Sequence, residues 1–404
     1  MKDYEVINNC LLCGGSISSI VNLGQTPLAN EFLLYKTTQD MFSLNIMKCD
    51  GCNHVQLDTI VDKDRLFRNY LYVASTSKVN VEHFKQYANS VISQFELKEN
   101  DIVCDIASND GCFLKNFIDN NIKVIGIDPA QNIAAQANKN GILTIPEFFS
   151  KELANDIVDK YGSIKVITCN NMLAHNKDIT TIVEGVGILL HHNGSFIFEN
   201  SYLLDICDKS LFDLFYHEHI HHFHITPLIS FFKKYCMDIY KVERLPNHGG
   251  SIRVYVCFSG VRFIDSSVND LVELEKNINT ELIELNNNII KIGYELREKL
   301  QEIKSQGKTI AIYGTPAKAT TLMYALNIDE KMIDFAVEDA PLKQGTFTPG
   351  KHVPIFHPNE LLSRKPDYVL VLAWNFAQSI IKNHPEVAEY GGKWIVPIPE
   401  LKVI

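Results

Sequence analysis

Apolar residues change their spacing along the chain, and each change predicts a different kind of structure. Residues 1 to about 75 hold short strand-like stretches broken by Gly and Asn, with no long amphipathic run, which predicts a small module of strands and turns. From Val81 to about Gly260, short β-branched runs (DIVCDIA, KVIGIDPA, ILTIPEFF, KVITCNN, GSFIFEN) alternate with helical stretches. That alternation predicts βαβ units on a parallel sheet. From Val268 to Gln306, apolar residues recur at three- and four-residue steps through Leu271, Leu274, Ile278, Leu282, Leu285, Ile289, Leu296 and Leu300. One long connecting helix is expected there. The later runs KTIAIYG, MIDFAVED and DYVLVLAW predict a second α/β unit. The expected domains are 1–75, 76–260 and 261–404, with the helix opening the third. No solenoid-length repeat interrupts this plan.

At 404 residues and 46% hydrophobic content, the chain can bury two or three separate cores. A net charge of −10 without a Lys/Arg block argues against wrapping nucleic-acid phosphate, so a small-molecule substrate is expected. The start, MKDYEVINNC, lacks a signal-peptide pattern, and no apolar run of about 18 residues occurs to span a bilayer. The expectation is a cytoplasmic protein with no membrane contact, monomeric or weakly self-associating.

Disulfides are unfavoured in that compartment, and the ten cysteines are unevenly placed. Cys104, Cys112, Cys169, Cys207, Cys236 and Cys257 stand singly, whereas Cys10 and Cys13 form CLLC and Cys49 and Cys52 form CDGC, 35 residues apart. Two Cys-x2-Cys knuckles supply four thiolates for tetrahedral zinc, leaving no open position, so a structural ion is expected. The plain alternative is four unligated buried cysteines. His54 could replace a ligand, but a surface position is expected for it.

The first strand of the central unit ends in Asp105, followed by Ala107, Ser108, Asn109, Asp110 and Gly111 before an apolar helix. A turn of small residues lets backbone approach a ligand at the carboxyl edge of a sheet. The next strand ends in Asp128-Pro129, 23 residues past Asp105, where a carboxylate can bind ribose hydroxyls. The glycine pattern that makes room for pyrophosphate is absent, which favours S-adenosylmethionine over a dinucleotide. Otherwise Asp105 and Asp128 are solvent-facing strand ends.

Residues 215–224 carry five of the fourteen histidines, within Phe-Tyr-His-Glu-His-Ile-His-His-Phe-His. Histidine can take a proton near neutral pH, and a neighbouring carboxylate can orient it. A general base, a second metal site at His217, His219 and His221, and an exposed polar segment all fit the pattern. Asn247-His248-Gly249-Gly250-Ser251 adds a histidine and backbone donors at a tight turn. Gly314-Thr-Pro-Ala-Lys318 follows a strand and opens a helix whose free N–H groups can receive an anion. It lacks the phosphate-cradling spacing of ATP-binding loops, so it either contacts phosphates of a nucleotide, closes the pocket or forms a structural turn.

Together these segments resemble the sugar C-methyltransferases of deoxysugar biosynthesis over nearly the whole chain. The likeness rests on the cysteine pairs and on Leu23–Asn30, Asn69–Tyr72 with Ser75–Ser77, Ser108–Gly111, Asn170–His175, Tyr216–His219, His248–Arg253, Tyr313–Lys318, Lys343–Gly345 and Pro349-Gly350. It implies an N-terminal zinc-binding domain, a central class I methyltransferase Rossmann-like sheet and a C-terminal Rossmann-like domain. The implied cofactor contacts extend to Pro129, Asn170, Asn171, Leu173 and His175. The implied sugar contacts are Tyr70, Tyr72 and Tyr216 with His222, His248, Gly249 and Lys318. His219 is then the base, with Glu218 holding its ring. The expected reaction forms an enolate at C3 of a nucleotide-linked 4-keto-deoxysugar, which takes the methyl of S-adenosylmethionine; the tyrosines bond the enolate oxygen. Two departures stand out: Ala107 replaces a usual Gly, and His221-His222-Phe223-His224 replaces a common Ser-Tyr-Phe-Ser. The rival readings are an O- or N-methyltransferase on a related sugar, a nicotinamide-dependent sugar oxidoreductase and a non-catalytic zinc-bearing binding protein.

Overall fold

The computed structural model describes residues 3–67 and 73–404. Its central sheet has seven strands in the order Met237–Leu245, Ser251–Phe258, Leu190–Ser201, Ile164–Asn170, Ile102–Ile106, Lys123–Ile127, Thr144–Ile145. Ser251–Phe258 runs antiparallel to both neighbours, and the other pairings are parallel. These strands read as continuous apolar runs because helices cover both faces. Val103, Val166, Ile197 and Tyr255 face a core with Tyr87, Val91, Phe113 and Phe117. Cys104, Ile106, Ile167 and Phe198 point the other way, toward Leu153, Ile157 and Val183. The helices start where polar side chains cap them: Ser150 accepts from Leu153 N at 3.2 Å and Asp178 from Thr181 N at 3.1 Å.

The C-terminal sheet has six strands in the order Ile355–Phe356, Phe335–Val337, Ile310–Tyr313, Tyr368–Val371, Lys393–Val396, Lys402–Val403, parallel except for the last pair. Its order reverses between Ile310–Tyr313 and Tyr368–Val371, the crevice where such sheets accept ligands. Gly314 permits the close approach there: its φ is +81°, and a Cβ would lie 2.6 Å from that of Ala373.

The N-terminal module is an antiparallel sheet of Ile17–Thr26, Phe42–Cys49 and Val55–Leu57 whose fourth, edge strand is His221–His222. A segment more than 150 residues away in sequence thus completes the cysteine-bearing sheet. The helix expected over 268–306 is two helices, Ser266–Leu274 and Ile278–Ser305. A 3-10 turn at Glu275–Asn277 joins them, and the buried Glu275 carboxylate accepts from Ile225 N, Thr226 N and Oγ1, and Tyr202 Oη at 2.6–3.0 Å. Among the described residues, no helix is long and apolar enough to cross a membrane.

Candidate active site

The carboxyl edges of the two α/β sheets meet at a cavity of about 1400 Å³. On the central side, Asp105, Asp128 and Glu199 are all buried and all line it. Asp105 accepts from Thr168 Oγ1 at 2.6 Å. Burial, with Asp128 and Glu199 nearby, pushes its carboxyl up to about 7. Asp128 accepts from Asn109 N and Ala130 N, each at 2.9 Å, and burial raises it as well. Ala107, Asn109 and Asn171 line the same edge with left-handed φ values of 60°, 51° and 53°. Such backbone costs roughly 1–2 kcal/mol in a non-glycine residue and concentrates where backbone must be aimed at a ligand. The glycine that commonly stands in place of Ala107 would adopt this conformation freely.

Glu199 is paired with Arg253, which donates to it at 2.6 Å, so Asp105 and Asp128 are the buried carboxylates left to meet a cation. Ser108 Oγ and Asn170 Oδ1 are buried without a hydrogen-bond partner among the described residues, so the same edge also has unmet polar capacity. S-adenosylmethionine, with a sulfonium, an ammonium and two ribose hydroxyls, fits that donor and acceptor set.

The wall between the sheets comes from the histidine segment. His219 donates from Nδ1 to Leu214 O at 2.8 Å, which leaves Nε2 to accept from Tyr216 Oη at 2.9 Å. Burial pushes His219 down to about 4, so the ring is neutral at pH 7. The orienting role expected of Glu218 is held by the Leu214 carbonyl, because Glu218 Oε1 instead accepts from Asn30 Nδ2 at 2.6 Å. His175 stacks on Phe67 at 5.6 Å and lies 5.0 Å from the His219 ring.

The segment is neither exposed nor a second metal site: among the described residues, only the cysteine cluster brings three or more ligand atoms together. His217, His221, His222 and His224 are buried. His54 is buried as well, correcting its expected surface position, because its Nε2 lies 2.8 Å from His221 Nδ1 across the paired strands.

On the C-terminal side, Lys318 and Lys343 line the cavity. Lys318 lies 3.4 Å from Asp213 and over the Trp374 ring at 4.1 Å, and burial lowers it. Lys343 donates to Thr315 O at 2.8 Å. Glu338 is saturated by Thr315 N, Thr315 Oγ1 and Ala340 N. This edge therefore brings two lysines to the cavity beside Glu338 and Asp339.

Of the residues singled out in the sequence, Asp105, Ala107, Ser108, Asn109, Asp128, Pro129, Asn170, Asn171, His175, Tyr216, Glu218, His219, His248 and Lys318 reach the cavity. The others are spent on packing and caps. Asp110 accepts from Cys112 N at 3.3 Å, Gly111 (φ +76°) has Ile142 where a Cβ would go, and Leu173 is fully buried. His222 packs on Phe215 at 4.5 Å, and Gly249 sits against Leu211 and Trp374, so neither meets its expectation of facing the sugar. Tyr70 and Tyr72 lie outside the described residues. Asn30, His83, Glu199 and Lys343 line the cavity without having been singled out as site residues. Asn30 and Lys343 stood inside quoted motifs, whereas His83 and Glu199 carry no local signal.

The four cysteine sulfurs lie within 4.8 Å of one another. Gly15 N and Gly51 N each point at a sulfur at 3.4 Å, the turn expected of a metal knuckle.

Fold and cavity define a methyltransferase-type α/β protein stapled by a four-cysteine zinc module. A family model described as "C-methyltransferase C-terminal domain" matches residues 246–399, and one described as "Putative zinc binding domain" matches 10–67. The chain is 32% identical to the C-methyltransferase NovU of Streptomyces niveus, over 98% of this chain and 97% of that one. It belongs to this C-methyltransferase family. Among solved structures, it is similar to magnesium protoporphyrin IX methyltransferase from Synechocystis PCC 6803 with bound SAM (12% identity, 45% of this chain and 82% of that one, TM-score 0.34). It is also similar to an S-adenosylmethionine-dependent methyltransferase from Clostridium acetobutylicum ATCC 824 (13%, 46% and 95%, TM-score 0.36).

Proposed function

We propose that this C-methyltransferase moves a methyl group from S-adenosylmethionine to C3 of a nucleotide-linked 4-keto-deoxysugar through an enolate. The observation that carries the reading is a neutral, half-buried His219, fixed in one tautomer, on a cavity that has Asp105 and Asp128 on one side and Lys318 and Lys343 on the other. When bound, S-adenosylmethionine supplies an electrophilic methyl on sulfur. The acidic edge orients that cation, and Asp128 takes the ribose. Lys318, Lys343 and the helix beginning at Ala317 face the nucleotide's phosphates.

Between them, the 4-keto group acidifies the hydrogen on C3. His219 Nε2 takes this proton as the Tyr216 hydroxyl turns from Nε2 to the developing enolate oxygen. The enolate carbon then takes the methyl as the sulfur–carbon bond breaks, and His219 returns its proton to water. A base pushed down to about 4 makes proton removal uphill, so stabilising the oxyanion and aligning carbon with methyl carry most of the work. Alignment alone can contribute roughly 7–11 kcal/mol. Tyr70 and Tyr72 are proposed as further oxyanion donors.

The test is His219→Asn with a panel of nucleotide-linked 4-keto-6-deoxysugars in deuterated solvent. Wild-type protein should exchange the C3 hydrogen and transfer label to carbon. The variant should lose both while binding S-adenosylmethionine normally. Exchange surviving in the variant would remove His219 as base, and label on oxygen or nitrogen would move the acceptor off carbon.

A further inference from the structure

Within that reading, the cavity holds a second histidine with its own support. His83, on the helix Lys78–Gln94, donates from Nε2 to Glu199 Oε2 at 2.8 Å. Glu199 is fixed from behind. The antiparallel register sets it directly opposite Arg253, whose Nε donates to Glu199 Oε1 at 2.6 Å. Arg253 is in turn clamped by Glu243 at 3.0 Å and lies over the Tyr87 ring at 3.5 Å. A carboxylate already committed to a guanidinium can only accept from the imidazole, so the proton of His83 is on Nε2 and Nδ1 is left to the cavity. His83 and Glu199 both line that cavity. Among the described residues, Nδ1 has no partner and is not sealed among buried, unsatisfied atoms.

The position matters as much as the chemistry. Glu199 is close enough to Asp105 to act on its ionisation. Together with His83 and Lys318, it also acts on His248, which itself acts on His219. His83 and Glu199 thus line one cavity together with Asp105 of the central edge and with His248, His219 and Lys318, where an acceptor has to sit. Neither His219 nor Tyr216 accounts for it, since their polar atoms are paired with each other and with Leu214.

We propose that His83 is an acceptor-positioning residue: its Nδ1 hydrogen-bonds a hydroxyl of the sugar beside the reacting carbon, and the Glu199–Arg253 pair holds the ring in the orientation that offers Nδ1. The assignment rests on the sugar-methylating function proposed above.

Two substitutions separate the two nitrogens. In His83→Asn the amide falls near the position of Nδ1 and loses Glu199; in His83→Gln it falls near Nε2, keeps Glu199 and leaves the cavity without its partner. With full-length zinc-loaded protein, a 4-keto sugar nucleotide and labelled S-adenosylmethionine, His83→Gln should lose about 100-fold in kcat/KM, in line with the cost of a misplaced acceptor. His83→Asn should retain at least about a tenth of wild-type kcat/KM, on the same scale of alignment loss. S-adenosylhomocysteine affinity should be unchanged in both. The reverse ranking, equal losses or an unimpaired His83→Gln overturns the assignment. Wild-type protein run in parallel separates it from the underlying reading: no methylation of any 4-keto sugar nucleotide defeats that reading and this one with it, whereas wild-type turnover with His83→Gln unimpaired defeats the assignment of His83 alone.

Discussion

The central and C-terminal sheets are both parallel at their centres, and both bring a strand-to-helix turn to the shared cavity. Their edges are equipped oppositely. The central edge presents Asp105, Asp128 and Glu199, with backbone held in left-handed φ at Ala107, Asn109 and Asn171. The C-terminal edge presents Lys318 and Lys343, and its strand-end carboxylate Glu338 is already satisfied by Thr315 and Ala340. Asp128 and Glu338 both accept from the backbone of their own turns and both line the cavity, so the edges differ in the side chains beside them: Asp105 and left-handed backbone on one, Lys318 and Lys343 on the other.

The largest disturbance to this pairing comes from the module that holds the wall between the edges. His221–His222 is an edge strand of the cysteine-bearing sheet, and the proposed base His219 lies two residues before it. Structural zinc contributes about 10 kcal/mol or more to folding of its module. Removing zinc with a chelator, or Cys49→Ser, should thus abolish methyl transfer although no cysteine lines the cavity. Zinc content, thermal melting and turnover measured together check this; a zinc-free protein with wild-type turnover would break the link.

A smaller effect separates the two edges from each other. Asp128→Asn should weaken S-adenosylmethionine by roughly 10- to 100-fold, the cost of about 1.5–3 kcal/mol for a hydrogen bond to a charged group, and leave nucleotide affinity unchanged. Lys318→Met should do the opposite. Calorimetric titration of each variant with each ligand would show it, and equal losses in both would mean that the edges are not independent.

The smallest effect is a pH dependence. Asp105 is raised to about 7 from an ordinary value of 3.8, so between those values the folded protein holds a proton that the unfolded chain has released. Ligand-free stability from this group therefore falls as pH rises from about 4 to about 7. A bound cation favours the ionised carboxylate, so S-adenosylmethionine affinity should rise through pH 7 with release of a proton. Titrations in buffers of different ionisation heat measure that proton; affinity flat from pH 6 to 8 would show that Asp105 is already ionised.

Much of this was legible before the fold. The cysteine spacing pointed to the zinc module, and the runs ending at Asp105 and Asp128 marked two strand ends that line the cavity. Asn109 and His219 are visible in short motifs because their chemistry and their neighbours lie within a few residues. Glu218 was misread for the same reason: adjacency in sequence pointed it at His219, while the folded chain brings Asn30 to it across the domain boundary. His222 lies in an informative motif yet is buried in the strand paired with Val55–Leu57, since a strand alternates its faces and only the pairing register decides which one meets the cavity.

What the sequence determined by itself is what local periodicity and spacing encode: the two α/β units, the zinc knuckles, and the acid-ended strands at the cofactor turn. Tertiary structure alone decided that His221–His222 joins the zinc sheet, that Glu275 is buried against Tyr202, Ile225 and Thr226, and that His83, Glu199 and Arg253 form one chain. These depend on contacts between residues far apart in sequence, where pairing register and the need to satisfy buried polar groups select partners that no local pattern records.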